Sequence, residues 1–238
     1  GSGMRKQKIN FITVCTDAYP MDYARKIITQ FEKLSNFNVT SYCITDRPNE
    51  ISDIAIPIAP PFGDGKGWWN KMYLYSKDMP KGISVYLDID TVLIKNFDEE
   101  ITNCIIELTF GRKISVVSDA IMWKDNKYSS SMMVMKHGRM VDIWEKFEKN
   151  KESLYGYDGG DQVWTGHQLN DSDVFYIDES FPKLKMNLKF HLGKKIFGQW
   201  DFPKRLPVGT KIVDCGGKPK PHELSYLHYV KENWHDVE

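Results

Sequence analysis

The chain predicts a single mixed α/β domain built on an open sheet, on three observations. A strand, a helix and a second strand follow one another closely at the start, as a parallel right-handed crossover unit requires. An apolar strand in mid-chain then runs into two aspartates one residue apart, Asp88 and Asp90, and open sheets bind ligands at such carboxyl ends. Finally, 238 residues, 41% hydrophobic and 13% aromatic, suit one sizeable core, with no repeat or linker to divide it.

Taken in order, Lys8–Cys15 (KINFITVC) is a short apolar strand. Pro20 opens a helix whose Ala24, Ile27, Ile28, Phe31 and Leu34 recur at helical spacing. Asn38–Thr45 (NVTSYCIT) is the second strand, and Asp46–Gly67, with Pro48, Pro57, Pro60, Pro61, Gly63, Gly65 and Gly67, is a long loop of the kind that is functional or disordered. Trp68–Ser76 reads as a helix feeding the apolar run before Asp88, with the Trp68-Trp69 pair half in the core. Strands follow around Ser115–Val117 and Ser131–Met135, then a helix with Met140, Ile143, Trp144 and Phe147 on one face.

The composition excludes several function classes. Thirty-two basic and 32 acidic residues give zero net charge, so no overall field draws the chain to nucleic acid or membrane. Apolar runs reach neither the length of a transmembrane helix nor the pattern of a signal peptide. Cys15, Cys43, Cys104 and Cys215 lie far apart without a C-x-x-C pair, and three of them sit in apolar surroundings, which suggests reduced thiols and a cytoplasmic protein. Residues 1–3 (GSG) read as an expression scar, leaving one domain over 4–238.

The stretch SVYLDIDTVLIK (Ser84–Lys95) raises the sharpest question. Residues two apart on a strand share a side, and two carboxylates so placed repel unless something positive lies between them. A hard divalent cation is the usual remedy; a strand end capped by its turn is the structural alternative.

Two families carry such a D-x-D. DIDTVLI resembles the haloacid-dehalogenase-like phosphatases, which would make Asp88 a nucleophile and Asp90 an acid/base. That motif follows the first strand of its domain, however, whereas here more than eighty residues precede it, and GGDQVWTG supplies only Asp161 for the downstream acidic motif. Most of the chain resembles instead the GT-A (Rossmann-like) nucleotide-sugar glycosyltransferases, in particular the retaining group of glycogenin and the lipopolysaccharide galactosyltransferases. The matching segments, in order, are Cys15-Thr16-Asp17-Ala18-Tyr19, Lys71 in WNKMYLY, Asp88-Ile89-Asp90, SVVSDA (Ser115–Ala120), SSSMMVM (Ser129–Met135), Asp158-Gly159-Gly160-Asp161-Gln162, and DCGGKPKPH with Asp214, Gly217, Lys220, Pro221 and His222.

The resemblance implies that Tyr19 lies against the nucleotide base beside Thr16 and Asp17. Lys71, Asp119, Gly217, Lys218 and Lys220 would contact the donor. Asp88 and Asp90 would hold manganese or magnesium on the diphosphate, with Asp214 as third ligand where the group has a histidine; His222 or water is the alternative. Ser129 and Ser131 replace an asparagine and a glycine of the group. The donor would be a nucleotide sugar, UDP-sugar favoured, and the acceptor a glycan, lipid or protein. Asp161 and Gln162 would act near the anomeric carbon, with Asp158 and Asp119 orienting sugar hydroxyls. A metal and Lys220 would stabilise the departing diphosphate.

Each residue also has a structural reading: Asp161 as a helix N-cap, Lys71 as a solvated lysine, Asp214 as the end of a strand before a Gly-Gly turn, and His222 as the start of the last helix. From Lys183 to Arg205, seven basic residues face one acid, with Phe190, His191, Phe197, Trp200 and Phe202 interleaved. That segment suits an acceptor platform, a phosphate track or a solvated flank equally. A degenerate protein that binds a nucleotide sugar without turning it over stands beside the enzyme as an alternative.

Overall fold

The structure is a computed structural model and describes residues 6–17, 19–63 and 66–237. Residues 1–3 of the leader, Ala18 of the Cys15–Tyr19 segment and Gly65 of the long loop fall outside these. β1 (Lys8–Cys15), α1 (Met21–Leu34) and β2 (Asn38–Thr45) form the expected crossover, with β1 and β2 parallel over their full length. Pro20 sits at the N-cap of α1, where its missing N–H costs nothing.

The Asp46–Gly67 loop is not structureless. It holds a short 3-10 turn at Pro48–Glu50 and an edge strand, β3 (Ile56–Ile58), parallel to β2. Pro57 within it cannot donate to a ladder, and an edge position tolerates that. Trp68–Ser76 lies mostly in a 3-10 rather than an α-helix, Gly67–Tyr75. Trp69 stacks on Phe147 at 5.4 Å while Trp68 is exposed, as the half-core reading expects.

β4 (Ile83–Leu87) leads through Asp88-Ile89-Asp90 into β5 (Thr91–Leu93), and α2 (Asp98–Thr109) follows, a helix outside the expectations. Next come β6 (Ile114–Ser118), β7 (Tyr128–Lys136), α3 (Val141–Leu154), α4 (Gly160–Gln168) and β8 (Val174–Tyr176). Late in the chain lie β9 (Lys185–Asn187), β10 (Lys194–Ile196), β11 (Gln199–Asp201) and β12 (Ile212–Asp214).

Seven strands make one mixed sheet in the order β3-β2-β1-β4-β7-β6-β8, with β7 antiparallel to both its neighbours. Alternating side chains feed two cores. Phe11, Val85, Leu87 and Val134 face α1 and α2; Ile12, Tyr86, Met133 and Met135 face the 3-10 helix, α3 and α4. A second sheet, β5-β12-β9, covers a third cluster around Val92, Leu188 and Val213. The D-x-D is therefore the step from one sheet to the other. Its aspartates lie in a turn rather than on the strand, so strand alternation does not put them on one side.

Candidate active site

The carboxyl ends of β4 and β6 open on a cleft of about 560 Å³, lined among others by Asp88, Asp119, Gln162, Lys185, Lys189 and Asp214. Asp88 is fixed by its N–H, which donates to the Ser131 carbonyl at 3.0 Å, and by the Tyr86 hydroxyl, which donates to its carboxylate. Lys71, on the 3-10 helix, reaches Asp88 at 3.3 Å and donates to the Ser130 hydroxyl at 3.0 Å. Burial works against the charge of Lys71, but Asp161 and then Asp88 hold its ammonium above the usual lysine range.

Asp90 is buried and accepts from Lys220 at 2.8 Å. Lys220 also donates to the Tyr19 hydroxyl at 2.6 Å, which lies 3.5 Å from Asp90. Burial, then Asp214, then Asp88 raise the carboxyl of Asp90, against the pull of Lys220. Asp214 ends β12, placed opposite Thr91 of β5 and Asn187 of β9 by the ladder registers. It accepts from Lys185 at 2.9 Å and from the Gly216 N–H at 2.8 Å. Burial pushes its carboxyl up, but the Lys185 ammonium and these hydrogen bonds override that and hold it below the ordinary range.

Lys185 also donates to the Ser131 hydroxyl at 2.8 Å. Its two partners are thus residues at which the chain departs from the motif it resembles, Ser131 for glycine and Asp214 for histidine. The extra negative charge of Asp214 is cancelled where it arises. Neither Lys185 nor Lys189 was singled out by motif; both come from the basic-aromatic segment, and only the β9–β12 pairing shows where they point. Further along that segment Trp200 stacks on Phe202 at 5.8 Å, and Phe197 stands fully exposed.

The remaining residues of the motifs divide. Thr16 accepts from the Asn70 amide at 3.3 Å, and the Gly67 N–H donates to Asp17 at 3.1 Å, tying the β1–α1 loop to the 3-10 helix. Gln162 donates to Asp119 at 2.8 Å within the cleft. Asp161 is buried, and one of its carboxylate oxygens has no hydrogen-bond partner among the described residues. It lies in the first turn of α4, whose N-cap is Gly159, so Asp161 is not the cap. Asp158 stands outside the cleft, exposed and paired with Lys124 at 2.8 Å. Lys218 is exposed, and Gly217 lines the cleft. His222 begins no long helix; it sits in a 3-10 turn and pairs with the Tyr23 hydroxyl.

Manganese and magnesium take oxygen ligands, and three carboxylates are the right donors. As they stand, each already holds an ammonium group: Asp88 that of Lys71, Asp90 that of Lys220, Asp214 that of Lys185. Among the described residues no three Asp, Glu, His or Cys side chains converge on one ion position. In this arrangement the residues do not fit a divalent ion. No helix among the described residues is long and apolar enough to cross a membrane.

No family model matches the chain, and no curated protein does. Solved structures do. The galactosyltransferase LgtC, in complex with donor and acceptor sugar analogues, superposes with a TM-score of 0.63 at 10% identity over 96% of this chain and 98% of its own. The glycosyltransferase GlyE of Streptococcus pneumoniae TIGR4 gives 0.61 at 12% identity over 98% of this chain and 66% of its own. Mouse xyloside xylosyltransferase 1 gives 0.55 at 13% identity over 88% of this chain and 98% of its own. This chain spans slightly less than two thirds of GlyE, and about half (51%) of the bifunctional glycosyltransferase WbbM. With its seven-stranded mixed central sheet, the chain has the GT-A fold of glycosyltransferases such as LgtC.

Proposed function

We propose that the chain is a glycosyltransferase that takes a sugar from a nucleoside-diphosphate donor, a UDP-sugar first among them, and passes it with retention to a glycan, lipid or protein acceptor. One observation carries the reading: the cleft at the carboxyl ends of β4 and β6 gathers lysines and carboxylates in a fold shared with LgtC, whose complex holds donor and acceptor sugar analogues. In the reaction, the bond from the anomeric carbon to the diphosphate oxygen breaks and its electron pair leaves with the diphosphate. The acceptor oxygen forms the new bond and gives up its proton to the departing diphosphate. Ammonium groups aimed at the leaving oxygen lower the barrier by meeting charge as it develops. Gln162 and Asp119 would orient sugar hydroxyls, and Asp161 would act on the transition state beside Lys71.

A panel of UDP-, GDP- and ADP-sugars, scored by release of the nucleoside diphosphate, tests this. Release is expected from one nucleotide class. Asp161→Asn should lower turnover about 100-fold and change donor affinity less than about threefold, the mark of a transition-state interaction. Equal losses would make Asp161 structural. Stabilisation by a nucleotide sugar that is never turned over would show a degenerate binder. A beryllofluoride adduct on Asp88 with phosphate-ester hydrolysis would establish the phosphatase instead.

A further inference from the structure

Lys189 stands apart from Lys71, Lys185 and Lys220. It follows β9 in the turn Leu188–Leu192, is 8% exposed, and lines the cleft. Its ammonium donates to the Gly216 carbonyl at 2.5 Å, yet among the described residues it belongs to no ion pair, whereas Lys71, Lys185 and Lys220 each have a carboxylate. A buried ammonium without a direct ion pair is costly. The chain has also made room for it: Gly217 holds φ +76°, and a Cβ there would come within 2.6 Å of the Lys189 nitrogen. A buried ammonium that makes no direct ion pair, at the wall of a cleft, is a site for an anion.

The charges around it point the same way. Asp88, Asp90, Asp161 and Asp214 face Lys71, Lys185, Lys189 and Lys220, so the cluster is neutral with no ion present. A single divalent cation in place of the lysines would leave those carboxylates two charges negative, and a cation entering as well must first displace ammonium groups. On the nucleotide-sugar reading above, we infer that the donor's diphosphate seats on an ammonium cluster centred on Lys189 and flanked by Lys185 and Lys220, and that this cluster does without a divalent ion. Lys189 thereby joins the residues that meet the leaving group, a role no motif assigns it.

Calorimetric titration with UDP, GDP and inorganic pyrophosphate, first in EDTA and then with manganese, tests the inference. The affinity for one nucleotide is expected to agree within about twofold between the two conditions. Lys189→Met should weaken it about tenfold or more, the scale of a lost charge-assisted hydrogen bond. Its melting temperature should hold or rise, because a desolvated charge has gone. Lys189→Gln, which keeps a donor for the Gly216 carbonyl, should lose the same affinity and guards against a misfolded first variant. Binding that appears only with manganese overturns the ion-free cluster. Variants that bind as tightly as the parent overturn the role of Lys189. Pyrophosphate bound in EDTA with neither nucleotide bound supports the cluster and removes the nucleotide-sugar reading; no binding of any probe defeats the cluster itself.

Discussion

Asp90 and Asp214 share one cluster and respond to it with opposite signs. The folded protein raises the carboxyl of Asp90, through burial and then through Asp214 and Asp88. It therefore binds that proton more tightly than the unfolded chain, and stability falls as pH rises from about 4 through the raised value. Asp214 is lowered, since Lys185 outweighs its burial. Its contribution is present above about 4 and is lost as pH falls through the depressed value. Near neutral pH, Asp90→Asn should thus cost less stability than Asp214→Asn, because relief of the raised carboxyl offsets part of the loss of the Lys220 pair. Asp214→Asn should cost about 3 kcal/mol, because Lys185, with 6% of its side chain exposed, is left buried without a counter-charge. Thermal melts of the two variants across the acid range check both signs, and the Asp214 cost should shrink below about pH 4.

At the level of elements, α4 places Asp161 and Gln162 through the turn before it. Gly159 holds φ +88°, and a Cβ there would fall on the Val163 side chain and within 2.9 Å of Trp123. Gly159→Ala should therefore cost more than about 1 kcal/mol and shift the head of α4, weakening the Gln162–Asp119 contact. A lower melting temperature together with a turnover loss greater than the affinity loss is the expected outcome. Long periodic segments such as β1, α1 and β2 were legible in the sequence because their apolar spacing persists over eight residues or more. β5 and β9 to β12 are three residues each, too short to show a period. α2 carries a readable signal, Asp98, Glu99 and Glu100 in its first turn, but no long apolar period beside it. Motif likeness marked Asp88, Asp90 and Asp214, but their lysine partners are set by tertiary pairing. Lys185 meets Asp214 only because β9 and β12 share a ladder, and a run of basic residues alone does not tell a cleft from a solvated flank.

Across the whole molecule, stability should be uneven in a way the cleft exploits. β1 and β4 lie inside a seven-stranded sheet with packed side chains on both faces. The β5-β12-β9 sheet has three-residue strands and a smaller cluster beneath it, so it should open at lower free energy than the large sheet. The four free cysteines are natural probes of this. Cys15, Cys43 and Cys104 belong to the core on one face of the large sheet, whereas Cys215 belongs to the cluster under the small one. Burial pushes the Cys15 thiol up to about 11 and the Cys104 thiol to about 12, and raises Cys43 and Cys215 too, so none offers much thiolate in the closed fold. Alkylation must then wait for local opening, and Cys215 should be labelled first. An anion that spans Lys185 and Lys189, on the β9 side, and Lys220, beyond β12, ties that sheet together and should slow the labelling of Cys215 most. Mass spectrometry of iodoacetamide-labelled peptides, with and without pyrophosphate, reads the order directly. Uniform labelling of all four cysteines would mean that the molecule opens as one unit.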